Sequence, residues 1–416
     1  MAFAVRLVWG IAVQSPFDAL YSDMANYHGR AIDLLDGATR GDPRNYAFFP
    51  WGAHVLIALE LAVVGRTSQI GVALVHALVG TIPVVCVVAI TARVVRPLAI
   101  VAVAGLVAAL WQPAVVHSGF FMSEMWFSAA IALGSALMLR SLEGKSGALG
   151  AGCAFAVAIA VRPQAMLTVA LVAALVVVRA ARTRAMLDGW ARLVAPIALV
   201  LAFSAVRMHQ LSGHWGLVSE NGPLNRVFGA THIGRVQARW QNQYGQYEAW
   251  YTPPAKMPVR PEDIVAYEGY IGDAEILDRI REEHMKRETR SEYARRLVRN
   301  TRLLAFRLVF PEEDFAARVP FRRVLQRVYR VVLVNLLPIG AFGLAAMLVA
   351  RRKRLVGIVV LANGLTVVVV AALYFAEARL RMPYDSFVIV GAAAGVSALI
   401  AIGKRVRSFV RERHRS

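Results

Sequence analysis

Long apolar blocks constrain the fold of this chain more than any other feature of its sequence. Six of them lie at 71–90, 99–110, 148–161, 165–178, 331–350 and 356–375. The longest reach the roughly 20 residues that a helix needs to cross a hydrocarbon layer about 30 Å thick. Backbone in contact with lipid must satisfy its own hydrogen bonds, and these blocks are too long to be strands of a barrel. The sequence therefore predicts an all-α, polytopic membrane helical bundle.

The positions of the basic residues predict how this bundle is oriented. Only 18% of the residues are charged, against about 25% in soluble proteins, yet the formal net charge is +20. Much of this charge lies in short clusters beside the apolar blocks, at 93–96, 179–184, 351–354 and 404–415. Such clusters are typical of cytoplasmic loops. We therefore expect a basic cytoplasmic face, and no nucleic acid as a partner.

Alternation of these clusters with the apolar blocks predicts about ten spans plus interfacial helices. The spans are expected at 1–13, 68–91, 98–111, 120–139, 148–161, 164–178, 193–206, 331–350, 355–375 and 386–402. The first is short for a span, and it lacks the basic region and cleavage site of a signal peptide. The segment 52–64 carries Glu60 and covers about half a membrane, which indicates an interfacial or re-entrant helix.

This map divides the chain into three parts. Residues 1–206 form a predicted N-terminal transmembrane module, whose first outer loop, 14–50, is the candidate catalytic loop. Residues 207–330 form a long extracytoplasmic loop or small cap, with a charged amphipathic stretch at about 274–304. Residues 331–416 form a C-terminal transmembrane module that ends in a basic cytoplasmic tail.

Asp23, just beyond the first span, is the candidate catalytic base. It lies in the segment Ser-Asp-Met-Ala-Asn-Tyr at 22–27. A structural role is also open, because an aspartate at the start of a helix often caps its N terminus. A general base needs a carboxylate in a partly desolvated cleft near the proton that it accepts, and a loop held against the bilayer could provide one. Asp18 and Asp33 are competing candidates, and Asp42 is a weaker one.

Glu124 and Arg162 are expected at the outer ends of spans four and five. Ionisable groups at membrane depth are costly and usually face a cavity or a partner. The helix dipole by itself would favour a carboxylate at the start of span four. Arg162, which precedes Pro163, could simply extend to the interface. Both residues are therefore site candidates with an open structural alternative.

Arg379 and Arg381 lie in the predicted outer turn 376–383 and break the positive-inside pattern. Two arginines in a short outer loop need a local reason. A guanidinium presents a planar fork of donors that suits phosphate oxygens, so a phosphate-bearing ligand at the membrane surface would supply that reason. Alternatively, Glu377 pairs with one of the two arginines.

The remaining polar residues give weaker signals. Asn221 lies in a polar turn of the long loop, where a surface turn is the simpler interpretation. His209, His214 and His232 lack the spacing of metal ligands, so a divalent metal is unsupported and no cofactor is expected. The two cysteines fall within apolar blocks and indicate no disulfide framework.

Taken in order along the chain, these residues resemble the GT-C glycosyltransferases. The resemblance is greatest to bacterial relatives of the dolichyl-phosphate-mannose protein mannosyltransferases and the lipid A aminoarabinose transferase. It is carried by an acidic residue in the first outer loop, an interfacial segment, a Ser-Glu pair, an Arg-Pro pair and an Arg-Leu-Arg-Met-Pro turn. These are Asp23, 52–64, Ser123-Glu124, Arg162-Pro163 and 379–383. The likeness covers most of the chain as an ordered layout of short motifs.

The resemblance implies an enzyme that moves a sugar from a polyprenyl-phosphate donor to an acceptor hydroxyl, usually with inversion. Asp23 would be the catalytic base, Arg379 and Arg381 would bind the donor phosphate, and Arg162 would be a second phosphate partner. The residues that shape the site would be Glu124, Tyr27, Asn221 and Tyr384. The implied partners are a lipid-linked sugar donor, a glycan, lipid or protein acceptor, and membrane lipids. The implied location is a bacterial inner membrane, with the site facing the periplasm or exterior.

Two departures from the family pattern and two other functions stay open. Met24 follows Asp23 where the protein mannosyltransferases have a second acidic residue, and 49–52 reads Phe-Pro-Trp-Gly in place of a His-Pro-Pro-type segment. Both departures concern the identity of donor and acceptor. One other function is a transporter or flippase of a lipid-linked anionic substrate, whose arginines bind phosphate without chemistry. The other is a non-catalytic partner in envelope polysaccharide synthesis.

Overall fold

The computed structural model describes residues 1–180, 185–231, 235–239, 248–251, 264–306, 322–374 and 378–413. The helices before the long loop and at its start are α1 (Ala2–Val8), α2 (Ser22–Asp36), α3 (Arg44–Phe48), α4 (Trp51–Val64), α5 (Gln69–Val94), α6 (Leu98–Ala109), α7 (Gln112–His117), α8 (Ser123–Leu142), α9 (Ala148–Val161), α10 (Ala165–Ala180), α11 (Ala185–Ser212) and α12 (Gly222–Thr231). The later helices are α13 (Ala274–Lys286), α14 (Arg290–Phe306), α15 (Arg322–Val349), α16 (Arg354–Leu373), α17 (Ala378–Arg381) and α18 (Asp385–Arg413). A π-helical turn (Trp9–Val13) continues α1, and 3-10 turns lie at Pro16–Ala19 and Met382–Tyr384.

The protein is a polytopic membrane helical bundle, as its sequence predicts. Among the described residues, six segments are long and apolar enough to cross a membrane: Gln69–Val94, Ser123–Leu142, Gly189–Ser212, Arg327–Val349, Arg354–Leu373 and Arg379–Arg413. Shorter apolar helices lie at α4, α6, α9 and the first part of α10. Every predicted span after the first coincides with one of these helices. The first predicted span is α1 with its π-helical turn, which packs against α5.

Several apolar helices are shorter than a hydrocarbon layer is thick. α9 has 14 residues, which corresponds to about 21 Å of helix against a hydrocarbon layer of about 30 Å. Pro163 disfavours helical geometry at the preceding residue, and Arg162 is accordingly extended, with φ −148° and ψ 111°. Non-helical backbone at membrane depth is tolerated where protein surrounds it or a cavity adjoins it. α9 is therefore about 9 Å shorter than the hydrocarbon layer is thick, and Arg162 marks its end.

The segment predicted as an interfacial helix is part of the bundle. α4 packs against α2, α5, α8 and α9. A Cβ atom on Gly52 would lie 2.6 Å from the carbonyl carbon of Ala160 in α9, so only glycine allows this approach. Glu60 is buried and lies 3.3 Å from Nε2 of His76 in α5. An ionisable side chain in an apolar helix thus has a partner on the neighbouring helix.

The helices that follow the long loop are held together by close backbone contacts. α15 and α18 form the most extensive helix pair of the described structure. A Cβ atom on Gly343 would lie 1.9 Å from the carbonyl oxygen of Gly391, and one on Gly395 would lie 2.3 Å from that of Ile339. Small residues allow helix backbones to approach this closely in membranes. Since α18 also packs on α5 and α6, this pair fixes the turn at the start of α18 against the N-terminal module.

The long loop contains a small sheet that the sequence does not predict. β1 (Arg235–Arg239) pairs antiparallel with β2 (Glu248–Tyr251) and parallel with β3 (Ile264–Glu268), in the order β2-β1-β3. The predicted amphipathic stretch forms two helices, α13 and α14. α14 is attached to the bundle, because Asn300 donates to the carbonyl oxygen of Ala372 at 3.3 Å. The division of the chain into three parts stays a prediction.

Candidate active site

Asp23 lies in the first turn of α2 and is oriented toward the C-terminal part of the chain. Tyr21 occupies the N-cap position, and no side chain caps this helix, so Asp23 does not have the capping role that was its structural alternative. Its Oδ2 accepts a hydrogen bond from Nη1 of Arg379 at 2.7 Å. The Asp23 side chain is 28% exposed, so it is both paired and accessible.

Arg379 lies between two carboxylates. It belongs to the short helix α17, and its side chain is only 15% exposed. Besides its bond to Asp23, its Nε lies 3.2 Å from Oε1 of Glu124. An arginine fork suits such a position, because its donors are fixed in one plane and can address two acceptors at once.

Glu124 and Arg162 form the buried side of the same group. Glu124 is completely buried in the first turn of α8, where the helix dipole favours a carboxylate. Nη2 of Arg162 donates to Oε1 of Glu124, and Nε of Arg162 donates to Oγ of Ser123 at 3.0 Å. The hydroxyl of Ser123 donates in turn to Oε2 of Glu124 at 3.3 Å. We call Asp23, Glu124, Arg162 and Arg379 the Asp23 cluster.

The Asp23 cluster balances two carboxylates with two guanidinium groups. Its members come from α2, from the start of α8, from the residue after α9 and from α17. Buried charges are stable only when they are paired and hydrogen-bonded. The pairing accounts for two arginines on a face where the positive-inside pattern does not expect them. The structure therefore brings together four residues that the sequence singled out separately.

Tyr27 lies beside this cluster, and its role in shaping the site stays a prediction. It follows Asp23 by one helical turn on the same face of α2, and its side chain is buried. Its phenol interacts with the Ser123 side chain. Burial, followed by the negative charge of Asp23, raises the pKa of Tyr27 above its ordinary value. The phenol therefore keeps its proton and remains a hydrogen-bond donor next to the carboxylates.

His117 also adjoins the cluster, and sequence reasoning did not identify it. It is fully buried at the end of α7, where it interacts electrostatically with Glu124, Arg379 and Arg162. Its Nδ1 donates to the carbonyl oxygen of Pro113 at 2.8 Å, and its Nε2 has no hydrogen-bond partner among the described residues. A single histidine in an apolar turn has no spacing that would distinguish it in the sequence.

Arg381 contacts a different set of residues from Arg379. Its Nε donates to Oδ1 of Asp385 at 2.7 Å, and its Nη1 donates to the carbonyl oxygen of Leu304 at 2.9 Å. Its Nη2 donates to the hydroxyl of Tyr329. These contacts join α14, α15 and α18 and favour a structural role. The phosphate-binding role predicted for Arg381 stays a prediction.

Tyr384 and Asn221, the other two predicted residues, differ in their position. Tyr384 is buried, its hydroxyl accepts from Nε2 of Gln164 at 3.4 Å, and so it joins the last outer turn to the turn that carries Arg162. Asn221 lies in a separate turn at the start of α12, where its side-chain oxygen accepts from Ser219 at 3.0 Å. Tyr384 thus contacts the turn that carries Arg162, whereas the described contacts of Asn221 lie outside the cluster.

The competing aspartates of the first outer loop have structural partners. Oδ2 of Asp33 accepts from the Tyr46 hydroxyl at 2.7 Å, and Asp42 pairs with Arg44 at 2.6 Å. Asp18 accepts from the backbone N–H of Ser15 in a capping box. The predicted pairing of Glu377 with an arginine falls outside the described residues, as does His232. Among the residues that the structure describes, no group of three potential ligands could hold a metal ion.

No protein family model and no curated protein matches this chain. Among solved structures it is similar to ArnT from Cupriavidus metallidurans bound to undecaprenyl phosphate, with 14% sequence identity and a TM-score of 0.40 over 96% of this chain and 76% of that chain. It is also similar to apo ArnT from the same organism, with 13% identity and a TM-score of 0.40 over 95% and 75% of the two chains. Both similarities are too low to assign a function to the present chain.

Proposed function

We propose that this protein is an inverting membrane glycosyltransferase that uses a polyprenyl-phosphate-linked sugar as its donor. The observation that supports the proposal is the Asp23 cluster, in which an accessible carboxylate lies beside an arginine at the end of the bundle where the short helix α9 stops. The cluster also lies opposite the basic face. Glu124 lies in the first turn of α8 and Arg140 in its last turn, so the two are separated by about 24 Å along the helix. By the positive-inside rule the cluster faces the exterior or periplasm.

Asp23 is the proposed catalytic base. A transfer to a hydroxyl needs a group that takes the hydroxyl proton as the oxygen attacks the anomeric carbon. Asp23 is the more exposed of the two cluster carboxylates, whereas Glu124 is completely buried. An acceptor hydroxyl can therefore reach Asp23 from solvent. Glu124 holds Arg162 and Arg379 in place instead.

Arg379 is the proposed ligand of the departing phosphate, and Arg162 is the proposed second phosphate partner. As the bond between sugar and phosphate breaks, negative charge grows on the phosphate oxygen, and a fixed guanidinium stabilises that charge. Inversion places the sugar between the attacking oxygen and the departing phosphate. Asp23 and Arg379, which are 2.7 Å apart, must therefore separate when the donor binds. The donor phosphate then replaces Asp23 as the acceptor for Arg379.

The position of the cluster at the end of the short helix α9 suits a lipid-linked donor. The polyprenyl chain would lie in the bilayer, so its phosphate would enter the site laterally, at the depth where the short helix α9 ends. The acceptor is a glycan, a lipid or a protein at the outer membrane face. Since Arg379 is already paired with a carboxylate, donor binding exchanges one anionic partner for another and leaves the guanidinium paired. Asp23, whose side chain is 28% exposed, is then open to the acceptor hydroxyl.

Replacement of Asp23 by asparagine tests the proposed base. We expect Asp23→Asn to lower sugar transfer by about 10²- to 10⁴-fold, the usual contribution of a general base. Binding of undecaprenyl phosphate, measured by native mass spectrometry, should change little. Asp36→Asn is the matched control, because Asp36 lies on the same helix with a similar exposure of 30% and pairs with surface arginines.

Two outcomes would contradict the proposal. If Asp23→Asn retains transfer, Asp23 is not the base. If the wild-type protein moves the lipid-linked sugar across vesicle membranes and transfers none, the protein is a transporter with the same phosphate site.

A further inference from the structure

A cavity lies between α15 and α18 at the opposite end of the bundle from the Asp23 cluster. It has a volume of about 240 Å³. Its walls are formed by apolar side chains, among them Phe342, Ala346, Ala394 and Ala398. The small alanines leave space between two helices that pack tightly at Gly343 and Gly395. The result is a groove with apolar walls inside a membrane-spanning helix pair.

Two cations border this apolar groove. Lys353 precedes α16, and Arg405 lies in the last third of α18, and both line the cavity. The sequence offers them almost no acidic partners: no aspartate or glutamate occurs at 322–374, and only Glu412 occurs at 386–413. The groove therefore combines an apolar interior with an excess of positive charge at its border.

The groove is separate from the proposed catalytic site. Arg405 follows Asp385 by 20 residues along α18, which corresponds to about 30 Å, the thickness of the hydrocarbon layer. Asp385 lies at the end of the bundle where Arg381 and the outer turn are found. The border of the groove is therefore at the level of the lipid headgroups on the basic face.

We propose that this groove binds an anionic phospholipid, whose acyl chain lies against the apolar walls and whose phosphate contacts Lys353 and Arg405. Basic pockets between transmembrane helices on the cytoplasmic side are suited to anionic headgroups, and each cation near the membrane surface adds to the attraction. The acyl chain of a neutral phospholipid fits against the apolar walls equally well, but its headgroup attracts the two cations less strongly. A second copy of this chain, placed symmetrically, brings the same cations to the same border and is repelled.

Native mass spectrometry of the detergent-purified full chain tests this proposal with phosphatidylglycerol and phosphatidylcholine as probes. We expect the wild-type protein to retain phosphatidylglycerol about 10- to 30-fold better than phosphatidylcholine, as two cations at a membrane surface predict. The variant Lys353→Gln/Arg405→Gln should lose this preference. The matched control is Arg407→Gln/Arg411→Gln, which removes two charges from the same end of α18 but from residues that do not line the groove.

A second variant fills the groove and keeps the charges. Ala398→Phe should reduce retention of both phospholipids, because the side chain occupies the space for the acyl chain. Equal retention of the two lipids by the wild-type protein would overturn the proposal. So would an equal loss in the control variant, which would show attraction to the whole basic face, or a dimer that Ala398→Phe dissociates, which would show a second copy in the groove.

Discussion

Arg379 and Arg381 are separated by one residue but contact different parts of the protein. Both arginines lie in α17, which is a single helical turn. Residues two apart on a helix do not share a face. Arg379 reaches Asp23 and Glu124, whereas Arg381 reaches Asp385, Tyr329 and the backbone of Leu304. Of these two arginines, Arg379 is therefore the one that lies beside the proposed base Asp23.

Substitution of the two arginines should separate catalysis from stability. Arg379→Gln is expected to lower sugar transfer by about 10²-fold or more, because it removes a donor that stabilises the departing phosphate. Arg381→Gln leaves the buried Asp385 without its charged partner, and loss of one member of a buried pair costs about 3–5 kcal/mol. Thermal unfolding in detergent and transfer in membranes measure the two effects. A melting temperature equal to wild type for Arg381→Gln would contradict its structural role.

The sequence identified the cluster residues by type and sidedness but not by partner. Asp23 and Arg379 stood out because each is a charged residue beside an apolar block, on the face opposite the basic clusters. Arg381 stood out for the same reason and was given the same role. Its contacts depend on the direction of its side chain, which the sequence pattern does not specify. His117 gave no signal, because a buried histidine is recognised only by its neighbours.

At the scale of helices, the sequence predicts where a short apolar segment ends. α9 ends at Val161, because Pro163 disfavours helical geometry at Arg162. The apolar run and the proline can both be read from the sequence, and together they place Arg162 at the end of the helix. The packing of α15 against α18 was not predictable in the same way, since glycines are common in transmembrane helices whether or not they lie at an interface.

A pair of glycine substitutions in α18 tests that packing. Gly395→Val should destabilise the protein by at least about 1–3 kcal/mol, the usual cost of overpacking, because even a Cβ atom there would lie 2.3 Å from the carbonyl oxygen of Ile339. Gly403→Val is the control on the same helix, where a Cβ atom meets nothing within 4 Å. Apparent melting temperatures in detergent measure both variants. Equal melting temperatures would show that α15 and α18 do not pack as described.

At the scale of the whole molecule, the bundle has two chemically different faces. One face carries the Asp23 cluster, and the opposite, basic face carries the groove between α15 and α18. Each long span runs from one face to the other, so the distance between the cluster and the groove follows from the membrane thickness. The proposed transfer and the proposed phospholipid binding can therefore be tested independently.

Cysteine labelling can establish the orientation of these faces. In a background of Cys86→Ala and Cys153→Ala, a membrane-impermeant maleimide should label His214→Cys on intact cells, because His214 is exposed in the turn after α11. Ser146→Cys, in the exposed turn after α8, should be labelled only after permeabilisation. Labelling of both positions from the same side would contradict the proposed topology.

The sequence by itself determined that the chain is a membrane bundle, where most of its helices lie, and which polar residues share a face. These properties depend on local hydrophobicity, helix length and the position of charges along the chain. The tertiary structure alone decided which of those polar residues meet. Asp23 and Arg379 are 356 residues apart, and Glu124 and Arg162 are 38 apart. Such pairs form because helix packing brings distant ends of the chain together, and buried charges are stable only with a partner of opposite sign.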